Sequence, residues 1–181
     1  MGTGVRARQP MPAAADVPAI LRVLIDHRVS FVVIGGVAVV YYGYVRTTKD
    51  LDIVPDPSDA NLGRLWVALQ ELDAAPLPLQ TVRPEELPPR LTLDSLRQLG
   101  NWELSTTHGR LDILQFINGK LETADDYTAL AQASEETRFD FGIVRFVSYG
   151  DLLDLKTIAG RDQDLLDIRA LREARGDVGP G

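Results

Sequence analysis

The sequence contains no cysteine and only two histidines among its 181 residues. The missing thiols exclude disulfides, thiolate metal sites and cysteine nucleophiles. Two histidines leave little room for a zinc centre. No apolar run approaches the roughly 20 residues of a helical membrane span, and the first residues lack the apolar core of an export signal. These absences imply a protein with no membrane association and a cytoplasmic location. Positive charge is also in short supply, with a formal net charge of −7. An acidic balance argues against broad nonspecific binding of nucleic acid, which relies on a basic face. A local basic pocket remains compatible with it.

Hydrophobic residues make up 45% of the chain and charged residues 25%. That is an ordinary globular composition, and the length suits one domain with a helical appendage. One stretch organises the rest, residues 31–55. Phe31-Val32-Val33-Ile34 is apolar and rich in β-branched residues, the pattern of a buried strand. Gly35-Gly36 follows. Two glycines permit positive φ and a close approach of backbone to a ligand. A short helix over 37–42 would direct its free N–H groups back to this turn, a geometry suited to phosphate. Tyr41 and Tyr42 lie on that helix, one facing the core and the other toward a nucleotide.

Thirteen residues separate Gly36 from Asp50. Asp50-Leu51-Asp52-Ile53 alternates polar and apolar, so a strand here turns both carboxylates to one face. Adjacent like charges repel, and a divalent cation with oxygen ligands is the usual relief. Taken singly, a Gly-Gly pair is commonly only a tight turn, and Asp-x-Asp a solvated edge. Together, in this order and spacing, they describe a site for Mg²⁺ and a nucleoside triphosphate.

Gly35-Gly36, Ala38, Gly43, Arg46, Thr48 and Asp50-Leu51-Asp52-Ile53 resemble the signature of the DNA polymerase β-type nucleotidyltransferase superfamily. Within it, the chain is most similar to small bacterial AbiEii/AbiGii-toxin-like and minimal nucleotidyltransferases. The resemblance implies an α/β fold of the α+β kind: a mixed β-sheet core with flanking helices and a C-terminal helix pair. It implies a third carboxylate on a later strand, and Gly109-Arg110-Leu111-Asp112-Ile113-Leu114 matches that place. Asp50, Asp52 and Asp112 would then be catalytic and would hold Mg²⁺, with Mn²⁺ as an alternative. Gly35, Gly36, Arg46, Thr48 and Lys156 would bind the nucleotide. The implied partners are a nucleoside triphosphate, a hydroxyl acceptor in RNA or tRNA, protein or a small molecule, and an antitoxin. Many relatives have Gly-Ser where this chain has Gly35-Gly36, so a hydroxyl contact to phosphate is missing.

The remaining chain reads as helices over 16–27, 60–72, 93–99 and 125–133 and hairpins over 102–116 and 136–147. Residues 74–90 contain five prolines and cannot be one regular element; they read as a loop bordering the site. Residues 1–15 and 176–181 read as flexible tails, 16–147 as the nucleotidyltransferase core, and 148–175 as helices packed on it. In those helices Ser148 and Asp151 form a capping pair, Gly160 ends the first helix, and Leu165, Ile168 and Leu171 form the buried stripe of the second. Asp164 and Asp167 are explained equally by helix–helix bonding and by a role in the site. Two other classes fit the chain: a catalytically inactive nucleotide-binding or antitoxin-like module with the same fold, and a structural domain whose acidic residues are surface charge.

Overall fold

A computed structural model describes residues 14–77 and 90–176. The expected tails lie almost wholly outside them, as does most of the proline-rich segment. The elements run α1 (Val17–Asp26), β1 (Phe31–Ile34), α2 (Gly35–Tyr41), β2 (Asp50–Pro55), α3 (Asp59–Glu71), β3 (Ala75–Pro76), α4 (Leu93–Leu96), β4 (Trp102–Thr106), β5 (Gly109–Ile113), α5 (Ala124–Ala133), β6 (Glu135–Phe139), β7 (Gly142–Phe146), α6 (Tyr149–Ala159) and α7 (Asp162–Arg175). Among the described residues the strands form one mixed sheet in the order β3-β4-β5-β2-β1-β7-β6. β1 runs antiparallel to β2, while β2 pairs with β5 and β1 with β7 in parallel.

The sheet has a core on each face. Leu51, Ile53, Leu111 and Ile113 pack on one side with Ile20 and Leu24 of α1 and Leu62, Leu65 and Leu69 of α3. Val32, Ile34 and Val54 pack on the other with α2, α5, α6 and Leu171 of α7. β1 is buried throughout, as its continuous apolar run requires. β2 alternates, so sinking Leu51 and Ile53 into the first core turns Asp50 and Asp52 to the opposite face.

Two details differ from the sequence reading. α2 begins at Gly35 itself, so the glycine pair is the first turn of the helix rather than a turn before it. In α7 the inward positions are Asp164, Asp167 and Leu171, whereas Leu165 is exposed. Charge caused this displacement: α6 offers a buried lysine, Lys156, which draws the two carboxylates inward.

Asn61 is fully buried near the start of α3 and makes every bond its amide allows. Its Oδ1 accepts from Ser30 N at 2.7 Å and Arg64 Nη2 at 3.0 Å, and its Nδ2 donates to the Ser30 and Asp56 carbonyls at 2.9 Å each. It ties α3 to the entry of β1 and the exit of β2. Asn61→Leu leaves the Ser30 N–H and the Asp56 carbonyl without the Asn61 amide, while the Ser30 carbonyl keeps its bond from Asp56 N–H, and is expected to cost about 2–4 kcal/mol, read from urea denaturation midpoints.

Candidate active site

Register assembles the site. In the parallel pair β2–β5, Asp50 stands opposite Arg110 and Asp52 opposite Asp112. In the antiparallel pair β4–β5, Glu103 stands opposite Asp112. Side chains directly opposite share a face, and neighbouring strands lie roughly 4.8 Å apart. Asp50, Asp52 and Asp112 therefore lie together on one face, in the portion that α5, α6 and α7 do not roof with apolar side chains. Asp52, Asp112 and Glu103 form a row across three strands.

The glycine pair is built against this row. Gly35 has φ +63°, and a Cβ there would collide with the Asp52 carboxylate. A Cβ on Gly36 would come within 2.6 Å of Thr48 Oγ1 and 2.9 Å of Arg46 Nη2. The Gly36 N–H donates to Asp52. Thr48 Oγ1 donates to the Asp50 carbonyl at 3.0 Å and reaches its carboxylate at 3.4 Å. The helix start, the polar loop and the first two carboxylates thus interlock.

The electrostatics of the row are strained. Burial and the neighbouring Asp50 push the Asp52 carboxyl up to about 6, against a partial offset from Gly36, Lys156 and Arg161. Burial and the charge of Asp52 push Asp112 up to about 7, although Arg110 pulls the other way. Arg110 Nη2 lies 3.2 Å from Glu103 Oε2 and 3.4 Å from Asp112 Oδ2. Asp112 Oδ1 is buried with no hydrogen-bond partner among the described residues. An all-oxygen donor set with one unsatisfied oxygen fits a hard divalent cation. Among the described residues no three acidic or histidine side chains already converge as a cage. Instead the carboxylates are held by Thr48, Gly36 and Arg110.

The remaining predicted cations take two positions. Lys156 is buried, with Nζ 2.8 Å from both Asp164 Oδ1 and Asp167 Oδ2. Arg46 Nη2 donates to Asp167 Oδ2 at 3.0 Å, and its Nε lies 2.9 Å from Oδ1 without its N–H aimed there. Arg161 Nε donates to Asp164 Oδ2 at 2.7 Å. Burial alone would raise the Asp164 carboxyl, but bonds from Arg161 and Lys156 bring it below the ordinary range. Lys156 therefore sits inside an ion-pair network. Arg161 is the cation of this network that lines the cleft. Tyr41 and Tyr42 face away from the carboxylates, both hydroxyls donating to Glu135.

A cleft of about 330 Å³ covers the row, lined by Asp52, Glu103, Asp112, Arg161, Trp102 and Leu77 among others. Hollows of about 400 and 530 Å³ lie elsewhere and contain none of the three aspartates. Glu103 and Arg161 were not singled out as cleft residues from sequence. For Glu103 the signal existed. A hairpin turning at Thr107-His108 pairs Thr106 with Gly109, and counting back places Glu103 across from Asp112.

The raised Asp52 carboxyl has a stability consequence. Its folded value exceeds the ordinary aspartate value of 3.8, so its cost is absent below that pH, builds as pH rises and is complete above about 6. Asp52→Asn, which keeps an acceptor for Gly36, is expected to stabilise the metal-free protein by about 3 kcal/mol at pH 8 and only about 1 kcal/mol at pH 4.5. Denaturant midpoints at the two pH values read the difference.

No family model matches the sequence, and no curated protein does. Solved structures do match. The lincosamide antibiotic adenylyltransferase LnuA, lincomycin-bound, aligns with a TM-score of 0.57 at 18% identity, over 87% of this chain and 95% of that one. The antibiotic-resistance factor ANT(2'')-Ia in solution aligns at 0.54 and 16% identity, over 89% and 83%. The same protein in complex with adenylyl-2''-tobramycin aligns at 0.53 and 15% identity, over 89% and 88%. At these identities the likeness is one of fold: the protein has the fold of the adenylyltransferase LnuA and of ANT(2'')-Ia.

Proposed function

We propose that this protein transfers a nucleoside monophosphate from a nucleoside triphosphate to a hydroxyl acceptor. The observation that carries the reading is the register that sets Asp50, Asp52 and Asp112 on one face beside the first turn of α2. Asp50, Asp52 and Asp112 would hold a divalent cation, Mg²⁺ or Mn²⁺. When bound, such an ion neutralises phosphate charge that builds up as the bond to the leaving pyrophosphate breaks.

The chain's own groups take the other roles. Gly35 and Gly36 let the start of α2 approach the triphosphate without a side chain between them. Arg46 and Arg161 supply positive charge beside the row, and Thr48 holds Asp50 in orientation. Lys156 acts from within the network, fixing Asp164 and Asp167 and through them Arg161 and Arg46. Asp112 would also accept the proton of the incoming hydroxyl.

A small-molecule acceptor is favoured over nucleic acid. The cleft is about 330 Å³, and the chain's formal net charge of −7 disfavours a phosphodiester strand. The structural neighbours that act on or bind antibiotics lend support to the same class. The toxin role and its antitoxin partner rest on the sequence resemblance alone.

Purified protein incubated with each labelled triphosphate, Mg²⁺ and a cell extract is expected to pass label to an acceptor. Asp52→Ala should lower that transfer by about 100-fold or more while keeping the fold by circular dichroism. Undiminished transfer in the variant would count against the assignment.

A further inference from the structure

Arg110 is an unusual neighbour for a carboxylate that must receive a cation. It lies two residues before Asp112 on β5 and shares its face. A guanidinium is a permanent cation with a rigid fork of donors, so it competes for the charge a metal would take. In this site one nitrogen of the fork serves two carboxylates, Glu103 at 3.2 Å and Asp112 at 3.4 Å. The shorter bond goes to Glu103. Among the described residues Asp112 Oδ1 is left with no partner, and so is Arg110 Nε, both buried. Arg110 is thus drawn to one side and does not close on Asp112 in the two-pronged pairing that arginine and carboxylate ordinarily prefer.

Glu103 is well placed to do this. The hairpin register puts it directly across from Asp112, and its side chain is 60% exposed, so holding a charge there costs little. We propose that Glu103 is a positioning residue that holds Arg110 off Asp112 and so leaves that carboxylate free to take a divalent cation. This inference rests on the reading of Asp50, Asp52 and Asp112 as the cation site. Glu103 itself need not touch the ion. Its negative charge provides Arg110 with a second anchor, and removing it lets the guanidinium settle on Asp112.

The test is Mn²⁺ binding to the full-length protein, followed by electron paramagnetic resonance, which needs neither nucleotide nor acceptor. Glu103→Gln is expected to weaken Mn²⁺ affinity about 5- to 10-fold, and Glu103→Asp to restore most of it. Arg110→Gln should bind at least as tightly as the unaltered protein. The decisive variant is Glu103→Gln with Arg110→Gln, which should recover affinity because the competing cation is gone. A double variant as weak as Glu103→Gln would make Glu103 a direct ligand and overturn the proposal, as would unchanged affinity in Glu103→Gln alone. Thermal unfolding of each variant separates loss of fold from loss of binding. Binding by the unaltered protein that survives Asp52→Asn unchanged would instead remove the cation-site reading, and this inference with it.

Discussion

The concentration of negative charge on one face of β2 and β5 is the constraint that the rest of the structure answers. It is imposed by the hydrophobic core. Leu51, Ile53, Leu111 and Ile113 are fully buried, and each strand alternates. Slipping either strand by one residue would turn its own two of these side chains out of the first core and its acidic side chains into it. The apolar residues therefore hold the acidic ones in register, and the carboxyls of Asp52 and Asp112 carry the electrostatic cost as raised proton affinities. On the proposed reading, a cation bound at the row would relieve that cost.

The C-terminal helices answer the same constraint from the other side. Lys156 brings a charge into the interior of the α6–α7 pair, and Asp164 and Asp167 neutralise it. Asp167 is shared with Arg46, which belongs to the loop entering β2. One buried carboxylate thus links the last helix to the segment just before the acidic row. Breaking such a buried pair leaves an uncompensated charge, so the helices and the loop hold position together. The apolar contacts of Leu152, Leu155 and Leu171 with Ala38 and Val39 supply the packing around this linkage.

Much of this was legible in the chain itself, and the reasons are particular. The alternation Asp50-Leu51-Asp52-Ile53 declares which face each residue takes, because period two admits no other arrangement when one side is buried. The Gly109 turn announces the hairpin that delivers Asp112. The α6 boundaries follow from Ser148 and from Gly160, which takes φ +60°. The orientation of α7 was not legible. Leu165 and Leu166 are apolar and outward, while Asp164 and Asp167 are charged and inward, against the ordinary hydrophobic ranking. Cations brought from outside the helix, Lys156 on α6 and Arg46 on the loop before β2, reverse that ranking, and no local pattern within α7 reports such partners. Glu103 escaped for a different reason: its importance lies in what stands opposite it, which is a property of pairing and not of composition.

The ion-pair network has one further consequence. Arg46, Lys156 and Arg161 outnumber Asp164 and Asp167 by one (3 − 2 = +1), and Arg161 brings the surplus positive charge of this network to the lining of the cleft. The sheet opposite is negative. An anionic group of a guest would lie toward Arg161 and a cationic group toward Asp52, Asp112 and Glu103, so the polarity of the lining would bear on the pose of the occupant.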